Sequence, residues 1–485
     1  LLAGQGQREE ANELSQKAQD ILEKLVEEFP NVPKYRNDLA LCHNNLGGLL
    51  ADLGQPAEAK EQFQKALTIW EKLVVQFPNV PEHRNDLAMS HLNLGNLLKD
   101  QGQQVEAKEH YQKAITFEVR LVAEFPNVPE YRNSLAESHY NLGLLLAGQG
   151  HRAEAKEQFQ KALDIWDKLA AEFPNATQPR KDLMAWSLYS LGLLLAGQGQ
   201  WVEANKQFQK ALDILEKLVA EFPKVPKYRN DLAMSHTNLG LRLAGQGQRA
   251  EANEYFQKAL TNSEKLAAEF PNVPEYLVNL GGSYCNLGLL VYEWGKPADS
   301  LAWFDKAIRT LTPIHERDSR NVTARLFLRN SYQDRAMAFD RLQKYADAVK
   351  DWDRAVELSA GAEQQRFRAS RATSRANVGQ VAEAVAEVAE LTKLPAWNVG
   401  QWYDFACVYG IASGKIADQK KEYADKAMEL LQKAVKAGWK DAANMKRDTD
   451  LDSLRDRPDF KALVAELEKK FPPPPERGPP PREKK

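Results

Sequence analysis

Four residue types in this chain could carry chemistry: glycine beside lysine for phosphate, histidine for metal ions, cysteine for redox work, and asparagine for gripping a main chain. The nearest approach to a P-loop is Gly410-Ile411-Ala412-Ser413-Gly414-Lys415-Ile416. It is one residue too short between its glycines and has no Ser or Thr after the lysine, so its amides could not wrap a phosphate; it reads as a loop. Gly245-Gln246-Gly247-Gln248-Arg249-Ala250 imitates a dinucleotide fingerprint. No strand pattern precedes it and near-copies recur along the chain, so it reads as a turn.

Histidines His43, His91, His139 and His236 form a ladder with one residue per repeat unit. Packed helices lie about 8–10 Å apart, too far for such residues to share one ion at about 2 Å, so the ladder reads as packing and no metal site is expected. Cys42, Cys285 and Cys407 are far apart, with no C-x-x-C pair. That spacing excludes a disulfide framework or thiolate zinc site, and their apolar settings suggest inert buried thiols in a reducing cytoplasm. No side chain stands in a catalytic context, and no enzyme activity or cofactor is expected.

The 65 basic and 67 acidic residues leave a net charge of -2, which draws the chain neither to nucleic acid nor to an anionic membrane. No apolar run reaches the ~18 residues of a membrane helix, and no secretory signal opens the sequence. The first residues, LLAGQGQREE, match the middle of a later unit, so the chain reads as a fragment.

Those units are the dominant feature. The marker F-P-N-V-P starts at Phe29, Phe77, Phe125 and Phe270, with variants at Phe173 and Phe222, at a spacing of 48 residues and once 49. N-L-G keeps the same register at Gly47, Gly95, Gly143, Gly240 and Gly288, and S-L-G stands at Gly192. Within a unit, Leu87, His91, Leu94 and Leu98 predict a helix A from Pro81 to about Gln101. After a Gly-Gln turn, Ala59, Phe63, Ala66, Trp70, Leu73 and Phe77 mark the apolar stripe of a helix B that ends at Pro78. No period-two segment predicts a sheet. A lone hairpin cannot bury such a stripe, so the hairpins must stack into an all-α, right-handed solenoid.

Leu239, Gly240, Ala252, Phe256 and Ala259 carry a pattern that resembles the tetratricopeptide repeat, over roughly residues 1–313. The usual repeat has 34 residues and a large aromatic early in helix A, where this chain has its histidines. The longer unit is more similar to the elongated repeats of the kinesin light-chain type. The expected organisation is a truncated first hairpin at 1–28, six repeats over 29–313, two irregular hairpins over 314–395 and a C-terminal hairpin with a capping helix over 396–470. A disordered Pro-rich tail is expected from 471 to 485.

The resemblance implies that helix A lines a concave groove, where the Asn before Leu-Gly hydrogen-bonds the main chain of an extended peptide. Those positions are Asn45, Asn93, Asn141, Asn238 and Asn286. An amide side chain both donates and accepts, so it matches a peptide bond whatever the partner's sequence. Asp86 and Asp231 lie beside this strip, as does Asp182, and Tyr140 and Tyr189 neighbour it with Leu92, Met89 and Met234. The other reading is that each Asn ties neighbouring helices together. Arg36, Arg84, Arg132, Arg180 and Arg229 form another ladder, expected to make ion pairs between repeats. With Asp rather than Lys or Arg beside the Asn, the expected partner is a neutral or basic extended segment rather than an acidic C-terminus.

Two functions follow. The first is a non-enzymatic scaffold that binds a protein or peptide, with self-association through the truncated first hairpin as a further expectation. The second starts from WYDFACVYGIASG and the segments after it, which resemble the C-terminal ends of large bacterial serine/threonine protein kinases. On that reading the chain is a substrate-recruiting arm without its catalytic domain, since no kinase motif is present.

Overall fold

The computed structural model describes residues 8–173, 181–394 and 397–471. Among them there is no strand, and no helix is long and apolar enough to cross a membrane. The chain divides into two compact units, Leu1–Arg242 with Gln257–Val273, and Leu243–Phe256 with Pro274–Lys485. The Pro-rich tail from 472 onward and Arg180 lie outside the described residues.

The first unit opens with a B helix, α1 (Arg8–Glu28), and continues as α2 (Pro33–Asp52), α3 (Pro56–Gln76), α4 (Pro81–Asp100), α5 (Gln104–Glu124) and α6 (Pro129–Gly148). Then come α7 (Arg152–Glu172), α8 (Lys181–Gly197), α9 (Trp201–Glu221), α10 (Pro226–Gly245) and α11 (Arg249–Glu269), although Leu243–Phe256 of the last two group with the second unit. Even-numbered helices are A and odd-numbered are B, and each A pairs with the B that follows it in α2–α9. Helix starts follow from Pro33, Pro81 and Pro129 in the first turn, where a missing N–H does no harm. The A-to-B turn is closed by Gly150 at φ 79°, with the His151 amide donating to the Leu146 carbonyl at 2.9 Å.

Close approach inside each hairpin depends on the N-L-G glycine. A Cβ at Gly143 would stand 2.7 Å from the Phe159 ring, and Gly47, Gly95 and Gly192 meet Phe63, Tyr111 and Phe208 in the same way. Helix B adds a second fixed contact, in which the Trp70 indole donates to Asn37 Oδ1 at 3.0 Å and Trp166 to Asn133 Oδ1 at 2.9 Å. Replacing Trp70 with Phe should lower stability by ~1–2 kcal/mol, because it strands the Asn37 acceptor; urea denaturation would measure this.

The arginine ladder needs correction. Arg84 pairs with Glu124 at 2.8 Å, Arg229 pairs with Glu269 at 2.7 Å, and Arg132 pairs with Glu172. Partners 40 residues apart join the start of helix A to the end of helix B in the same hairpin, so the pairs close hairpins rather than link repeats.

The second unit begins with α12 (Pro274–Glu293), α13 (Pro297–Arg317), α14 (Val322–Arg341), α15 (Tyr345–Glu357), α16 (Gly361–Val378) and α17 (Val381–Leu391). It ends with α18 (Val399–Lys415), α19 (Lys420–Lys436), α20 (Ala442–Arg447) and α21 (Pro458–Lys470). Among the described residues of this unit, three short elements escaped the sequence reading: α20 and two 3-10 segments, Ala417–Gln419 and Thr449–Leu454. The P-loop look-alike is also corrected, since Gly410 to Lys415 is helical, inside α18, and not a loop. Gly410 is there because the Asp450 carbonyl crosses so close that a Cβ would come within 2.5 Å of it. Lys415 donates to the Ala376 carbonyl at 3.0 Å.

Candidate protein-binding face

In the first unit the A helices α2, α4, α6 and α8 touch one another in series, whereas successive B helices make no comparable contact. The A helices therefore form one contiguous row, on which some side chains stay exposed. Apolar groups stand open there, with Leu41, Met89 and Met234 at 44%, 42% and 37% exposure.

The Asn positions behave differently from one another. Asn45 is exposed, and Asn93 and Asn238 are half-buried. Asn93 Nδ2 donates to Asn44 Oδ1 of the preceding hairpin at 3.2 Å, which is the helix-tying role at one rung. Asn141 is buried and turns back to donate to the Glu137 carbonyl of its own helix at 3.0 Å. Asn286 belongs to the second unit.

Acidic groups gather at the far end of the row. Lys227 Nζ pairs with Asp182 and lies 3.9 Å from Asp231, and both carboxylates are almost fully buried. Tyr140 is close by; burial pushes its pKa up, and the fields of Asp231 and Asp182 raise it further. Tyr189 stacks at an angle on Phe208 with centroids 5.1 Å apart, and so is largely a core residue. Burial pushes the Asp86 carboxyl up to about 6, with Glu82 adding to the rise and the Asn85 amide opposing it.

The histidine ladder is buried; His43, His91 and His139 meet partners 19 residues later on helix B, and His236 Nδ1 lies 3.3 Å from the Leu232 carbonyl of its own helix. His43 Nδ1 meets Gln62 Oε1 at 2.6 Å and His139 Nδ1 meets Gln158 Oε1 at 2.7 Å. In the hairpin between them the partner is another imidazole, with His91 Nδ1 and His110 Nδ1 3.0 Å apart. The sequence reading missed this pair because it compared histidines only along the ladder. Burial lowers the pKa of each ladder histidine, His91 down to about 3 and His236 to about 4. Burial likewise pushes up the thiol pKa of all three cysteines, although Cys42 is only half-buried, short of the expected full burial.

The sequence matches tetratricopeptide repeat families over residues 39–85, 90–118, 136–165, 184–223 and 232–267. No curated protein gives a significant match. Among solved structures the chain is similar to BtubC (BKLC) from P. vanneervenii, with 17% identity, 53% of this chain and 91% of that one covered, and a TM-score of 0.41. MamA shares 22% identity over 44% of this chain and 96% of its own, with a TM-score of 0.26. A tetratricopeptide repeat protein from Parabacteroides merdae shares 18% identity over 69% and 97%, with a TM-score of 0.32. Five matched segments in one register, each laid over an A–B hairpin or most of one, make the chain a tetratricopeptide repeat protein, a family whose arrays indicate protein–protein interaction scaffolds.

Proposed function

We propose that the inner face of the first unit binds an extended, neutral or basic protein segment. The observation that carries this reading is the coincidence, on one row of A helices, of accessible amides at Asn45, Asn93 and Asn238 with open apolar groups at Leu41, Met89 and Met234. The amides supply main-chain recognition without regard to sequence, the apolar groups supply affinity, and Asp86 and Asp231 favour a basic partner.

A peptide selected from a random twelve-residue library tests this directly. Replacing Asn45, Asn93 and Asn238 with Ala should remove ~1 kcal/mol per lost bond, or roughly a hundredfold in Kd for the three together, with the helical circular dichroism unchanged. Equal affinity in the folded triple variant would dispose of the groove and leave the amides as ties between hairpins.

A further inference from the structure

The hairpin α4–α5 differs from its neighbours at the position facing the ladder histidine. Gln62 and Gln158 fill that position in the hairpins before and after it, and His110 fills it here. We infer that His91 and His110 form a binding site for a divalent transition-metal ion of the copper or nickel class.

Geometry selects the ion. Metal–imidazole bonds are about 2.0–2.1 Å long, so two nitrogens 3.0 Å apart subtend roughly 90° at a shared ion. That angle suits adjacent positions of a square-planar or octahedral ion, whereas a tetrahedral zinc would need the nitrogens roughly 3.3 Å apart. His91 is buried and its ring is stacked on Phe117 at 6.2 Å with 10° between planes, so one ligand is already oriented. His110 is half-buried, which leaves the ion a side open to solvent and water. Glu106 lies one helical turn before His110 on α5, from where its carboxylate can act on a bound ion through water.

Without metal, one ring donates its Nδ1 proton to the other's Nδ1. Binding requires that donor ring to carry its proton on Nε2 instead, so both rings stay neutral and no net proton is released. The positive charge of Lys113 on α5 acts against a cation at either ring. Lys60 on α3 opposes a cation at His110, but Glu106 holds it at 3.7 Å, and Glu106 and Glu109 act in the ion's favour. The same contact without metal is a plain hydrogen bond standing in for His–Gln, and the test separates the two.

His110→Gln restores the residue of both neighbouring hairpins and should fold as the wild type does. Titration of the full chain with NiCl₂, followed calorimetrically and repeated with CuCl₂, should show one equivalent that is absent or at least tenfold weaker in His110→Gln. His91→Gln should lose the same equivalent, and Glu106→Gln should weaken it. Identical titrations of the wild type and His110→Gln, whether both bind or neither does, would overturn the inference.

Discussion

Glu118→Trp should stabilise the α4–α5–α6 region by ~2–4 kcal/mol at pH 7, and the gain should grow as the pH rises. Glu118 occupies the helix-B position that holds Trp70 in the hairpin before it and Trp166 in the hairpin after it. Its side chain is 0% exposed, and neither carboxyl oxygen has a hydrogen-bond partner. Asn85, the counterpart of Asn37 and Asn133, is left with an unpartnered buried oxygen that a Trp indole would satisfy. Ser138 on α6 is near enough to draw the carboxyl pKa down a little but forms no well-made bond, and Glu137 opposes it. Burial dominates and pushes Glu118 up to about 8.

The sign of the pH effect follows from that direction. A carboxyl whose folded pKa is raised keeps its proton in the native state while the unfolded chain loses it near pH 4.5. Stability is therefore full below that point and falls as pH rises towards 8, after which the loss levels off. Between pH 4.5 and pH 7 alone the linkage is worth ~3 kcal/mol. Hydrogen exchange of the α5 amides at pH 5 and pH 8 measures local opening, which suits a repeat array better than a global melt. A gain of the same size at both pH values would contradict the assignment to Glu118 ionisation. The histidines act in the opposite direction: their lowered pKa values mean that stability present above pH 6.5 is lost as pH falls below it.

Phe159→Ala should lower the stability of the α6–α7 hairpin by ~3–5 kcal/mol. The ring is fully buried against Gly143 and Tyr140, in the core cluster that includes Leu142, Leu145 and Leu146. A second variant isolates the cause. Gly143→Ala alone should destabilise the hairpin by driving a Cβ into the ring, but should be nearly neutral in the Phe159→Ala background, where the ring is gone. A loss below 1 kcal/mol for Phe159→Ala, or strict additivity of the pair, would refute the packing role.

The repeat markers made the hairpins legible because one register fixes both the close-approach glycine and the aromatic that meets it 16 residues later. What stayed hidden were contacts that depend on which faces of two helices meet. The Arg84–Glu124 and His91–His110 pairs have constant separations of 40 and 19, yet those separations acquire meaning only once helix A is laid against helix B. Glu118 was visible as a break in the Trp70–Trp166 column, although nothing in the sequence says that its carboxyl is stranded. In α18 local glycine content suggested a loop, and tertiary packing against the Asp450 carbonyl overrode it. The Asn column was legible as a column, but duplication repeats a residue whether it binds a partner or its own helix, as Asn141 illustrates.

The central claim is that partners bind along the A helices of the first unit. Hydrogen exchange of the full chain, with and without a selected peptide at saturating concentration, tests it most directly. Slowed exchange concentrated in α2, α4 and α6, with α3, α5 and α7 changed little, is the result expected. Protection confined to the B helices, or to the second unit, would contradict it.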